Sequence, residues 1–248
     1  MAAVNDVNSR LEVPHSRLVQ VWVLFLPDVR AGLDSLRGFL SPEESRRAAR
    51  FVFEGDRQRF VSTRGVLRLL LARYLKREPD RIVFRYGPHG KPALVGEPGG
   101  SPDLRFNVSH SGDYCLCAVT VGREVGVDVE LVRPDVECLQ LAERFFTRRE
   151  YEDLLQQPEE ARPARFFRYW TSKEAYLKTQ GVGISSGMAR LEMKFHEDGS
   201  VGCCTEDGAP ASEPHYLVRS IPIAGNVVAA VAAEGNDWEV ALSHYSVK

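Results

Sequence analysis

Residues 104–130, LRFNVSHSGDYCLCAVTVGREVGVDVE, decide how this chain is read. Leu104 to Val108 and Tyr114 to Val121 are apolar and β-branched runs separated by the turn formers Ser111-Gly112-Asp113. Gly122-Arg123-Glu124 then separates the second run from Val125 to Glu130. The spacing predicts three short strands in a meander. Centring the second turn on Arg123 sets Glu130 opposite Leu116 and Asp128 opposite Ala118, so the third strand ends beside the first turn. Ser109 and His110 sit at that turn, and two carboxylates, a hydroxyl and an imidazole are expected to converge there.

Around this stretch the bulk numbers are those of a globular protein able to bury a core. The chain has 248 residues, 44% hydrophobic and 27% charged, with a formal charge of −2. Such a balance gives no global basic field, which argues against nucleic acid as a partner, and any anion must be met by local clusters. The five cysteines lack metal-ligand spacing, and Cys115 and Cys117 lie in an expected core strand, which fits a reducing compartment. Val19 to Leu26 is too short to cross a membrane and is stopped by Pro27-Asp28. The expectation is a cytoplasmic protein with no membrane segment.

Residues 1–17 show no periodicity and read as a flexible leader, followed by a buried strand from Val19 to Leu26. Ser41-Pro42-Glu43-Glu44 is a capping box that opens a helix running to about Phe53. After a break at Gly55-Asp56, a second helix carries Phe60, Val61, Leu67, Leu70, Leu71 and Leu75 on one stripe, with Arg47, Arg59, Arg64 and Arg68 off it. A strand at Ile82 to Arg85 and a Gly/Pro-rich loop lead to the meander. Thr147-Arg148-Arg149-Glu150 is a second capping box, and a Gln157-Pro158 break precedes a long helix, roughly Ala164 to Gln180, stopped at Gly181-Val-Gly183. Strands are expected at Leu191 to Phe195, Tyr216 to Ile221, Val227 to Ala233 and Trp238 to His244, with loops at Gly199 and Gly208 to Pro214. Both halves thus run strand, capped short helix, long helix, strands. This order predicts an α+β fold built by pseudo-twofold duplication of two similar subdomains, residues 18–122 and 123–248.

Four constellations carry possible chemistry. Asp128 and Glu130 alternate with Val127 and Val129, so they share one face about 7 Å apart along the strand. Such a pair suits Mg²⁺, or is the solvated acidic face of an edge strand. Glu174 and Lys178 stand four apart on one helix face, able to reach a metal and a phosphate, or to form a surface ion pair. Ser109-His110 offers two hydrogen-bond donors to an anion, or is an ordinary turn with a partly buried histidine. Lys91 in Gly90-Lys91-Pro92, with Arg47 and Arg64, can meet phosphate or solvent. A serine-hydrolase reading fails because Gly-x-Ser-x-Gly is absent, and Gly181-x-Gly183-x-x-x-Gly187 follows a helix, not a strand, so it is no dinucleotide loop.

Taken in order and spacing, Gly90-Lys91-Pro92, Phe106-Asn107-Val108-Ser109-His110-Ser111-Gly112, Gly126-Val127-Asp128-Val129-Glu130 and Trp170-x-x-Lys173-Glu174-Ala175-x-x-Lys178 resemble a known family. It is the 4′-phosphopantetheinyl transferases of the surfactin-synthetase-activating type. The resemblance runs from Ser41 to about Ile184 and takes in Phe145-Phe146-Thr147-x-x-Glu150. It implies two α+β halves with coenzyme A in the cleft between them, and Mg²⁺ held by Asp128, Glu130 and Glu174. A serine of an apo carrier protein attacks the phosphorus bearing pantetheine, and 3′,5′-ADP leaves. The resemblance further implies that Lys178 and His110 stabilise the pyrophosphate and that Lys91 and Ser109 hold phosphates. Arg47 and Arg64 would recognise the 3′-phosphate, and Glu174 would act as general base. Two basic, aromatic segments, Arg144 to Arg149 and Arg162 to Arg168, could meet an acidic carrier domain or be solvated helix faces. A monomer is expected, since the chain is itself a pseudo-dimer. A coenzyme A-binding protein without catalysis would not need the three carboxylates, and a carrier-docking module would not need the Asp128/Glu130 pair.

Overall fold

The computed structural model describes residues 12–95, 103–182, 187–197, 200–205 and 215–246. Most of the expected leader, and the expected features at Gly183, Gly199 and Gly208 to Pro214, lie outside these residues. The first half opens with β1 (Leu18–Phe25), followed by α1 (Leu26–Val29) and α2 (Leu33–Gly38). Next comes α3 (Pro42–Ala49), whose capping box is formed as expected: Ser41 Oγ accepts from the Glu44 amide and the Glu44 carboxylate accepts from the Ser41 amide. The break before α4 (Glu54–Leu75) lies at residues 50–53, not at Gly55-Asp56. Glu54 and Asp56 instead occupy the first turn of α4, where the helix dipole favours negative charge. A ribbon of β2 (Phe84–Tyr86) and β3 (Pro92–Leu94) leads to the hairpin β4 (Leu104–Ser111) and β5 (Tyr114–Val121).

The meander stops there. β6 (Val125–Leu131) does not pair with β5, because the free edge of β5 is taken by β1. Ala118 pairs with Val21 and Leu116 with Val23, the two positions expected to face Asp128 and Glu130. β6 leaves through Gly122-Arg123-Glu124 and begins a second sheet.

That second sheet follows α5 (Cys138–Phe145), α6 (Arg148–Gln156) and α7 (Arg162–Gln180). It adds β7 (Leu191–Phe195), β8 (Ser200–Thr205), β9 (Tyr216–Ile221) and β10 (Val227–Glu234) in the order β6-β10-β9-β8-β7. The Thr147 capping box on α6 is present. The duplication is visible strand by strand: β1-β5-β4 in one sheet repeats as β6-β10-β9 in the other, antiparallel throughout, with α4 and α7 as the matching long helices. One element breaks the division after residue 122. β11 (Glu239–Tyr245) returns to the first sheet and pairs in parallel with β1, giving β11-β1-β5-β4.

Alternation along the strands sorts the core into layers. Trp22, Leu24, Cys115 and Phe106 pack with Leu70, Leu71 and Tyr74 of α4. Val19, Val21, Val23, Leu116 and Ala118 meet Val125, Val127, Val129 and Val231 between the sheets. Ala230 and Ala232 pack with Phe166, Tyr176 and Leu177 of α7. The order is helix, sheet, sheet, helix. Since the valines of β6 face the other sheet, Gly126, Asp128 and Glu130 face α7.

Candidate active site

Three elements build the site. Gly126 is the reason α7 can lie against β6: a Cβ there would overlap Ala175 O and come within 2.9 Å of Lys178 Cβ. The close approach brings Glu174 and Lys178, one turn apart on α7, over Asp128. Lys178 Nζ donates to Asp128 Oδ1 at 2.7 Å, to Ser109 Oγ at 3.1 Å and to Val127 O at 3.2 Å. Ser109 Oγ donates to the same Asp128 oxygen at 2.7 Å. Ser111 Oγ donates to Glu130 Oε2 at 2.7 Å. The two carboxylates and the Ser109 hydroxyl expected to converge are brought together, but by side chains across two sheets and not by a shared meander; His110, the next residue on β4, is exposed and stands on the opposite face of the strand from Ser109.

The carboxylates are costly where they stand. Asp128 is 4% exposed and Glu174 8%. Burial, reinforced by the negative charge of Asp128, pushes the Glu174 carboxyl up to about 7. Burial also raises Glu130. Desolvation holds the His110 imidazolium below its ordinary range, and the positive charges of Arg59 and Lys178 add to this, so the ring is neutral near pH 7. Asp128 Oδ2 and Glu174 Oε1 are buried without a hydrogen-bond partner. Buried, unsatisfied oxygens on carboxylates close enough for one to raise the other fit a hard divalent cation. Among the described residues no group of three acidic, histidine or cysteine side chains is placed to hold a metal ion. An ion that uses one or two carboxylates and completes its shell from water and substrate phosphate requires none.

Comparison with known proteins gives this arrangement its family. Residues 124–232 match the 4′-phosphopantetheinyl transferase superfamily model, and residues 29–122 match a 4′-phosphopantetheinyl transferase N-terminal model. The chain is 40% identical over 227 residues to the 4′-phosphopantetheinyl transferase HetI of Nostoc sp., covering 92% of each. It is 31% identical over 163 residues to the 4′-phosphopantetheinyl transferase Sfp of Bacillus subtilis, covering 66% of this chain and 70% of that one. Over 164 residues it is 33% identical to an L-aminoadipate-semialdehyde dehydrogenase-phosphopantetheinyl transferase of Xenopus laevis, covering 62% and 54%. The chain belongs to the 4′-phosphopantetheinyl transferases. As such it is an enzyme that moves the 4′-phosphopantetheine group of coenzyme A to a carrier protein. The boundary between the two family matches falls at residues 122–124, where β6 leaves the first sheet.

Within this transferase, the remaining residues singled out from the sequence are placed apart from the carboxylates. Lys91 Nζ donates to Glu124 Oε2 at 3.0 Å, Thr179 O at 3.1 Å and Val125 O at 3.3 Å, so it braces the start of β6 against the end of α7. It lines a cavity of about 720 Å³ together with Arg105, Phe106, Glu124 and Tyr216, and none of the three carboxylates lines that cavity. Arg47 lies over the Phe60 ring at 5.1 Å. Arg64 approaches Glu44 at 3.5 Å and stacks over Phe84, with its Nη1 buried and unpartnered. Arg68, off the apolar stripe of α4, is nevertheless buried: its Nε donates to Glu44 at 2.5 Å and its Nη1 to the carbonyls of Pro79 and Ile82. Asn107 and Ser111, which bond to β6 on either side of the carboxylates, escaped the sequence reading as site residues. Asn107 and Ser111 lie two residues either side of Ser109 on one strand face, a period-two signal that was available.

Proposed function

We propose that the transfer depends on Mg²⁺ and takes place where Asp128, Glu130 and Glu174 face one another beside Lys178. The observation that carries this reading is the pair of buried, unpartnered oxygens, Asp128 Oδ2 and Glu174 Oε1. The ion would draw its carboxylate oxygens from among these three residues and the rest of its shell from water and substrate phosphate, and when bound it neutralises charge on the pyrophosphate of coenzyme A.

The chain's own groups do the rest. Lys178, set against Asp128 and Ser109, presents an ammonium to the pyrophosphate where negative charge gathers as 3′,5′-ADP leaves. Ser109, on turning its hydroxyl proton from Asp128, and the neutral His110 ring supply further hydrogen bonds to phosphate oxygens. Glu174 accepts the proton of the carrier serine as the serine oxygen bonds to the phosphorus bearing pantetheine. The phosphorus–oxygen bond to 3′,5′-ADP breaks in the same displacement. Arg47 and Arg64, on adjacent helices, receive the 3′-phosphate, and Lys91 sets the wall of the cleft from which phosphates are held. The carrier docks on the basic face around Arg148 and Arg149, side chains that are 85% and 69% exposed.

Because both halves of the site lie in one chain, the protein acts as a monomer, with residues 18–122 and 123–248 standing in for two subunits. Cys115 and Cys117, free and buried on one strand, fit the reducing cytoplasm. No helix among the described residues is long and apolar enough to cross a membrane. Incubating the protein with coenzyme A, Mg²⁺ and an apo carrier domain should give the phosphopantetheine adduct by mass spectrometry. Modification that persists undiminished after exhaustive chelation would overturn the metal reading.

A further inference from the structure

β4 is the edge of one sheet and β6 the edge of the other, and no backbone ladder joins them although they run side by side. An edge strand buried in this way must find partners for its outward amides and carbonyls. Side chains supply them. Asn107 Oδ1 accepts from the Val127 amide at 2.9 Å. Ser111 Oγ accepts from the Leu131 amide at 3.1 Å while donating to Glu130 at 2.7 Å. Both side chains stand on one face of β4, and Asn107 is 4% exposed. The two anchored amides belong to the residue before Asp128 and the residue after Glu130. Fixing both ends of a three-residue strand segment fixes the direction of the side chains between them.

We propose that Asn107 and Ser111 are positioning residues of the transfer. They pin Val127 and Leu131 so that Asp128 and Glu130 aim at one cation. Neither touches substrate in this role. The inference rests on the metal reading given above and extends it to residues that read as mere turn and strand polar groups.

The test uses Mn²⁺ as a magnetic-resonance probe on the full chain without coenzyme A, together with amide hydrogen exchange. Ser111→Ala should weaken Mn²⁺ binding about tenfold and expose the Leu131 amide to exchange, with Ser111→Thr restoring both. Asn107→Ala should weaken Mn²⁺ binding by a similar factor and expose the Val127 amide, and Asn107→Asp, which keeps the acceptor, should restore the amide's protection. In turnover, both alanine variants should need more Mg²⁺ for half-maximal rate while the Michaelis constant for coenzyme A at saturating Mg²⁺ stays within about twofold. Asp128→Asn is the control. If it abolishes Mn²⁺ binding while both alanine variants bind normally, the positioning role is overturned and the metal reading stands. If Asp128→Asn also binds normally, the metal reading has failed and this inference falls with it. Should Asn107→Ala not fold, Ser111→Ala, at the more exposed end of the seam, decides.

Discussion

The two halves put different chemistry at matching positions. In the first, the strand facing the long helix is β1, whose Gln20, Trp22 and Leu24 point at α4. Trp22 Nε1 donates to Tyr74 Oη at 2.8 Å, Tyr74 Oη donates to Gln20 Oε1 at 2.6 Å, and Gln20 Nε2 donates to Ser243 Oγ at 3.2 Å. In the second, the corresponding strand is β6, whose Gly126, Asp128 and Glu130 point at α7, and two carboxylate oxygens there have no partner. β1 is flanked by β11 and β5, whereas β6 has β10 on one side only. The frame is shared. A saturated polar network in one copy adds stability, and an unsaturated one in the other stores the capacity to bind.

The largest effect that can break this contrast is at Glu174. Replacing it by Ala should lower turnover by at least about a hundredfold with the fold intact, and near-normal turnover in a folded variant would remove its role. Gly126→Ala should follow, because its methyl displaces α7 from β6. A loss of about 1–3 kcal/mol and a fall in turnover of more than about tenfold are expected, read by thermal melting and kinetics.

Glu174→Gln sharpens the electrostatic side. The folded carboxyl, near 7, lies above its unfolded value of 4.5, so its protonation favours the folded state below 4.5 and that advantage is lost as pH rises through 7. In metal-free protein the Gln variant should therefore gain up to about 3 kcal/mol over the parent at pH 8 and almost nothing at pH 4. Equal melting shifts at both pH values would show that the carboxyl is not held up by its surroundings.

On the saturated side, Tyr74→Phe should cost about 1–3 kcal/mol by stranding Trp22 Nε1, with kcat unchanged. A matching loss of kcat would mean that the first half is no mere scaffold. Smallest is the charge reversal Arg148→Glu with Arg149→Glu. It should raise the Michaelis constant for the carrier several-fold and leave that for coenzyme A alone, the mark of a docking surface.

Much of this was legible in the sequence because local rules were obeyed locally. β4, β5 and β6 begin and end close to where composition placed them, and Ser41 and Thr147 cap helices through Glu44 and Glu150 as their spacing predicts. What failed was long-range. Nothing between residues 104 and 130 says that β1 will occupy the edge of β5 and turn β6 away. Helical spacing sets Arg68 off the apolar stripe but does not reveal that Glu44 and two carbonyls await it. Glu150 likewise does more than cap. It meets Lys173 at 2.6 Å and accepts from the Met193 amide, a buried knot whose members are far apart in the chain. Lys91 was read for its charge, and the structure employs it as a brace.

The return of β11 to the first sheet has a consequence for the order in which the molecule can be made. Leu18 pairs with Glu239 and Leu24 with Tyr245, so the outer flank of β1 stays open until β11 has been made. Synthesis exposes an unfinished sheet from β1 until β11 emerges, a state that invites pairing with other chains. Closing so long a loop is slow, and it makes folding of the two halves interdependent despite their shared design. A duplicated fold has in this way been locked into one cooperative unit by β11.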